Sequence, residues 1–226
     1  MLLRGKSRDK SVFTEDELKL FRKFKEPYDI QLFLNEIPYD ASPGTSSSKV
    51  VLREKRANCF EGALFGAAAL RMLGHKPLIV DMIAVNDDDH VMAIFKRDGN
   101  YGAVAKSNTT VLQYREPVYH TLRELVMSYF DFYFNISGEK SLRSYSNPVN
   151  LSKFDKQNWM TTEENLDFIG DYLNEIKHNK ILSTKQVRKL NLADDDLVKL
   201  CFEGAVKDGI YRPKKRKCLN LTNLKP

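Results

Sequence analysis

Cys59, His90 and the polar pair Ser107–Asn108 follow one another along this chain in an order that suits thiol chemistry. A thiol is a weak nucleophile until a nearby imidazole takes its proton, and a third polar group must hold the imidazole's other nitrogen in the right tautomer. The surroundings of Cys59 fit the first role. Asn58 is an N-cap residue and Glu61, three positions on, completes a capping box, so Cys59 falls in the first turn of a helix. Unpaired amide N–H groups and the positive end of the helix dipole meet there and favour a thiolate. The Cys59 N–H would also meet an acyl oxygen as it becomes negative, a donor worth on the order of 3 kcal/mol. Gln31 is the one candidate for a second donor, and its helical setting reads as exposed.

The elements that position these residues can be read on either side. From Ala63 to Leu73 the chain is almost wholly apolar and rich in small residues, the mark of a helix packed on nearly every side; Gly74 and Pro77 end it. Residues 77–85 read as a buried strand. His90 opens a second strand, and Asp98-Gly99 turns it into a hairpin whose return strand covers 101–105. A two-residue turn would set His90 opposite Ser107 and a three-residue loop opposite Asn108; the register stays open. Asp98 lies at the far end of the hairpin, about 17 Å away, and is excluded.

Upstream, Thr14–Glu17 caps a helix carrying Leu18, Phe21 and Phe24, and a second helix runs from Asp29 to Ile37. Residues 39–48 have the composition of a flexible loop bordering the site. Downstream, 118–134 reads as a helix, 137–151 as polar connection, and 161–176, 183–186 and 194–205 as further helices. The expected organisation is a flexible N-terminus (1–12), a catalytic core (13–150), a helical C-terminal appendage (151–211) and a basic tail (212–226).

The chain carries 36 basic and 30 acidic residues, and six of the basic ones fall in 212–226, which holds no acid. The positive charge therefore belongs to the tail, and nucleic-acid contact is expected only as weak binding by that tail. Three scattered cysteines give neither a disulfide framework nor a metal-binding spacing. No run is long and apolar enough for a membrane span, and the first residues lack a secretory pattern, so a cytoplasmic protein without membrane contact is expected. Asp87, Asp88 and Asp89 beside His90 invite a metal. Zinc, however, wants further His or Cys ligands at suitable spacing, and the next histidine is His120. No cofactor is required.

The segments Asn58-Cys-Phe-Glu-Gly-Ala63 and Asp89-His-Val-Met-Ala-Ile94, with Tyr101 opening the next strand, resemble the transglutaminase-like superfamily, relatives of papain-type cysteine enzymes. The resemblance spans roughly residues 28–135. It implies an α+β fold in which a helix bearing the nucleophile packs on an antiparallel sheet bearing the histidine. It also implies a hydrolase or acyltransferase acting on amide-type bonds of a peptide, protein or small amide. The superfamily places an aspartate about four residues beyond the aromatic, where this chain has Ala105. Asn108 is the best substitute, because an amide oxygen can accept from an imidazole N–H, and Ser107 is second. The expected set is thus Cys59 as nucleophile, His90 as base and then acid, and Asn108 as orienting residue. A catalytically silent domain that binds a peptide or partner protein is the other class.

Overall fold

The structure is a computed structural model that describes residues 13–213. The flexible N-terminus expected at 1–12 and the run 214–226 of the basic tail lie outside the described residues. An antiparallel sheet stands at the centre, its path running β4-β3-β2-β1-β5-β7. The strands are β1 (Leu78–Ala84), β2 (His90–Arg97), β3 (Asn100–Val104), β4 (Arg115–Tyr119), β5 (Leu142–Ser146) and β7 (His178–Lys180), and a short β6 (Val149–Asn150) also pairs with β1. The fold class is α+β.

Helices cover both faces. On one lie α1 (Glu15–Phe21), α2 (Pro27–Glu36), α3 (Ser48–Glu54) and α4 (Cys59–Met72), packed with Ile79, Val91, Ala93, Phe95 and Val104 into a single core. On the other, α5 (Leu122–Phe130) lays Leu125, Val126 and Tyr129 against Val80, Met82, Met92 and Ile94. Successive strand residues face opposite sides, so the alternation in β1 and β2 divides these two cores. That division decides where His90 points.

The capping box of α4 forms as its sequence predicts, with Asn58 accepting from the Glu61 N–H and the Glu61 carboxylate accepting from the Asn58 N–H. Eleven of the fourteen residues of α4 are buried. Its approach to the sheet is close enough that a β-carbon added at Gly62 would lie 2.2 Å from the Lys106 Cβ. The hairpin turn is the two-residue form, with Asp98 at φ 51° and Gly99 at φ 83° and Arg97 opposite Asn100. Pairing of β2 with β3 stops at Ala93–Val104, so neither Ser107 nor Asn108 is carried on a strand beside His90. His90 pairs instead with Met82 of β1.

Three stretches depart from expectation. The loop at 39–48 is tied down: the Ser46 N–H donates to Glu61 (2.8 Å) and the Thr45 hydroxyl to Asp167 (2.8 Å), and α3 begins at its end. The helix expected over 118–134 is shortened to α5 because Arg115–Tyr119 joins the sheet as an edge strand. Residues 151–211 are not set apart from the core. Leu151, Phe154, Trp159, Leu166 and Ile169 belong to the α4 core, and the segment also supplies β7. Its helices are α6 (Asp167–Glu175), α7 (Thr184–Val187) and α8 (Asp195–Phe202).

Candidate active site

At the end of the sheet where β2 begins, Cys59 and His90 line one small cavity of about 70 Å³, together with Tyr39, Asp87–Asp89, the 107–109 turn and Tyr133. An outer cavity of about 450 Å³ shares Tyr39, Cys59, Asp88 and Asp89 with it. The thiol is half-buried. Its sulfur lies 3.9 Å from the Asp89 carbonyl, to which it donates, and the Val91 N–H donates to it. The sulfur therefore touches both backbone neighbours of His90.

The imidazole itself takes the parity of Met92 and Ile94 and leans toward the α5 side. Its ring centroid is 6.5 Å from that of Tyr133, and the Leu112 backbone is the hydrogen-bonding group beside it. No hydrogen bond joins ring and thiol, and among the described residues His90 Nε2 is buried without a partner. Burial, against the smaller pull of the Leu112 backbone, pushes the His90 pKa down to about 4. Burial likewise pushes the Cys59 thiol up to about 11, helped by the negative charges of Asp88 and Asp81; the N–H groups of Val91 and Phe60 oppose it. At neutral pH both groups are uncharged. The helix N-terminus does not by itself deliver the thiolate that the capping pattern suggests.

Asn108 borders the cavity, but its amide is fully engaged elsewhere. Nδ2 donates to the carbonyls of Val206 (2.9 Å) and Gly209 (2.8 Å), and Oδ1 accepts from the Val206 N–H (2.8 Å). It makes no hydrogen bond to His90, so the orienting role expected of it is not displayed. The reason is the early end of β3, which leaves 107–112 as a turn facing the C-terminal segment. The Ser107 hydroxyl is likewise paired locally, with Thr109 (3.0 Å). Gln31 is not exposed. It is 1% accessible and clamps Ala105, donating to its carbonyl (2.8 Å) and accepting from its N–H (3.0 Å).

Sequence reasoning passed over two groups. Tyr39, bridged to Ala57, brings its phenol oxygen to the Cys59 backbone N–H, a contact that offsets part of the burial raising its pKa. Its only signal was its position opening the 39–48 segment. The second is His178, whose Nε2 lies 3.0 Å from Asp81 Oδ2 and whose Nδ1 lies 2.9 Å from the Ile176 carbonyl. Asp81 pairs across the sheet with Val91, on the α4 face, and its pKa is raised mainly by burial. Nothing local in the sequence joins residues so far apart. Among the described residues no three His, Cys, Asp or Glu side chains stand together as a metal site, and no helix is long and apolar enough to cross a membrane.

Against known proteins, no family model and no curated sequence matches this chain.

Proposed function

We propose that this protein is a cysteine-dependent hydrolase or acyltransferase acting on amide-type bonds, built on a core of the transglutaminase-like kind. The observation that carries the reading is the buried, partnerless Nε2 of His90 on the same cavity as a half-buried thiol at a helix N-terminus. Leaving such a nitrogen unpaired costs about 1–3 kcal/mol, and a reaction that gives it a proton accounts for its retention.

Because thiol and imidazole are both neutral at rest, the chemistry starts by proton transfer during attack and not from a standing ion pair. The Cys59 sulfur leaves the Asp89 carbonyl and turns to the acyl carbon. Its proton passes to His90 Nε2 as the S–C bond forms, and the carbonyl π pair moves onto oxygen. The Tyr39 hydroxyl, whose oxygen accepts from the Cys59 N–H at rest, is the donor for that oxygen. Collapse breaks the C–N bond, and the imidazolium returns the proton to the departing amine. Water or a second amine then releases the thioester by the same steps in reverse. The Leu112 backbone takes the orienting role first expected of Asn108. A hydrogen bond absent at rest is compatible with this scheme, since catalytic contacts often tighten only once substrate is bound.

A catalytically silent, ligand-binding domain is the second reading. The raised thiol pKa and the missing thiol–imidazole contact favour it. Incubation with an activated acyl ester, read by intact-protein and peptide mass spectrometry, separates the two. An enzyme acquires one acyl group at Cys59 in preference to Cys201 and Cys218. His90→Ala then slows that acylation by about 10²–10⁴-fold, and Cys59→Ser abolishes it. Acylation of Cys59 no faster than that of Cys201, and indifferent to His90→Ala, establishes the silent domain.

A further inference from the structure

After α8 the chain does not turn away into solvent. The Cys201 carbonyl accepts from the Thr110 N–H (3.3 Å), Lys207–Gly209 forms a short 3-10 turn, and Ile210 and Tyr211 come to line both cavities around Cys59. The fit is tight: a β-carbon added at Gly209 would lie 2.7 Å from the Tyr39 ring and 3.0 Å from Asn108 Nδ2. Beneath this segment the inner cavity holds only about 70 Å³, room for a few water molecules, whereas sites that enclose a ligand run to roughly 300–1,000 Å³. An acyl substrate therefore cannot enter the inner cavity shared by Cys59 and His90 while the segment stays down, although the outer cavity of about 450 Å³ still borders Cys59.

The way the segment is held carries the rest. All three Asn108 contacts are to main-chain atoms, one N–H and two carbonyls, and none is to a side chain. An amide that reads only backbone holds a peptide with little regard to its sequence.

We propose that the cleft over Cys59 takes a polypeptide segment bent into a turn, that residues 206–211 occupy it in cis as a strap, and that Asn108 is its backbone-reading residue. A peptide substrate gains the inner cavity of Cys59 and His90 by displacing the strap and taking over its bonds to Asn108. This assignment rests on the reading of Cys59 as the nucleophile only for the fate of the bound peptide.

The test loosens the strap without substituting Cys59 or His90, and Val206→Pro leaves the surroundings of Tyr39 unchanged as well. Val206→Pro removes the N–H that Asn108 accepts, and Val206 already has φ −67°, which proline adopts unstrained. Gly209→Ala adds the crowding methyl. In the full chain, alkylation of Cys59 by iodoacetamide is expected to quicken about 2- to 10-fold in each variant, the opening that one lost hydrogen bond permits. Buried Cys201 serves as the internal control for unfolding. A synthetic peptide of residues 205–213, added to the Val206→Pro variant, is expected to restore slow alkylation, and to fail when Asn108→Ala is also present. Unchanged alkylation in both variants overturns the strap. Quickened alkylation that the peptide does not slow overturns the polypeptide cleft. The enzyme reading fails separately, through absence of acyl transfer in strap variants whose Cys59 is demonstrably open.

Discussion

His90 is the residue at which stability and chemistry pull apart. Its ring is 4% exposed, uncharged, and lacks a partner at Nε2. An apolar residue of similar size removes that unpaired nitrogen but also strands the Leu112 backbone partner, so His90→Leu is expected to change stability at pH 7 by less than about 1 kcal/mol while abolishing acyl transfer. Urea unfolding reads the first effect; a variant destabilised by more than that would mean the imidazole is a satisfied structural group. The pH dependence has a definite sign. The folded pKa, near 4, lies below the ordinary 6.5, so the unfolded chain binds the extra proton first. The wild type therefore loses stability relative to His90→Leu as pH falls from about 6.5 to about 4, by on the order of 3 kcal/mol in all. At this scale the sequence was legible where chemistry is local. The cap residues that set Cys59 on its helix, and the position of His90 at a strand start, could be named from neighbours alone. Which face His90 takes, and what Asn108 holds, could not, because both depend on where pairing between distant strands stops.

Among the elements, α4 and the end of β3 set the frame of the site through one near-contact. Gly62 meets Lys106 with no room for a methyl. The Lys106 ammonium in turn donates to the carbonyls of Leu34 (2.8 Å) and Ile37 at the C-terminal end of α2, supplying the charge that a helix end favours. Burial lowers its pKa to about 8. Helix, strand end and capping lysine thus converge immediately before Ser107 and Asn108. Gly62→Ala is expected to destabilise by about 1–3 kcal/mol through overpacking; an unchanged urea midpoint would show that the two elements separate freely. Apolar periodicity and the Asp98-Gly99 turn made α4 and the β1–β3 meander legible. The missed elements are those with little apolar signal: β4 is an edge strand that alternates only between half-buried and exposed, and β5 is a half-exposed strand whose burial does not alternate. The C-terminal stretch reads as an appendage because it has no constellation of chemical residues of its own, and nothing in its spacing says that it fills the α4 core.

For the whole molecule, the Asp81–His178 contact fastens that late segment to the centre of the sheet. Both ring nitrogens of His178 meet an oxygen, one on the Asp81 carboxylate and one on the Ile176 carbonyl. Side-chain exposures of 5% and 13% leave little water to replace either partner. Removing one side alone strands a buried charge or its proton. His178→Leu is accordingly expected to cost about 3–5 kcal/mol, with the double variant Asp81→Leu/His178→Leu recovering most of it. Additive losses in chemical denaturation would show that the two do not act as a pair.

Val206 follows Asn108 by 98 positions. During synthesis at about 5–20 residues per second, that interval lasts roughly 5–20 s. Everything that surrounds the thiol except its cover has then been made. A nascent chain thus has the inner side of its sulfur uncovered, and that side gains its cover only as translation reaches the last of these residues.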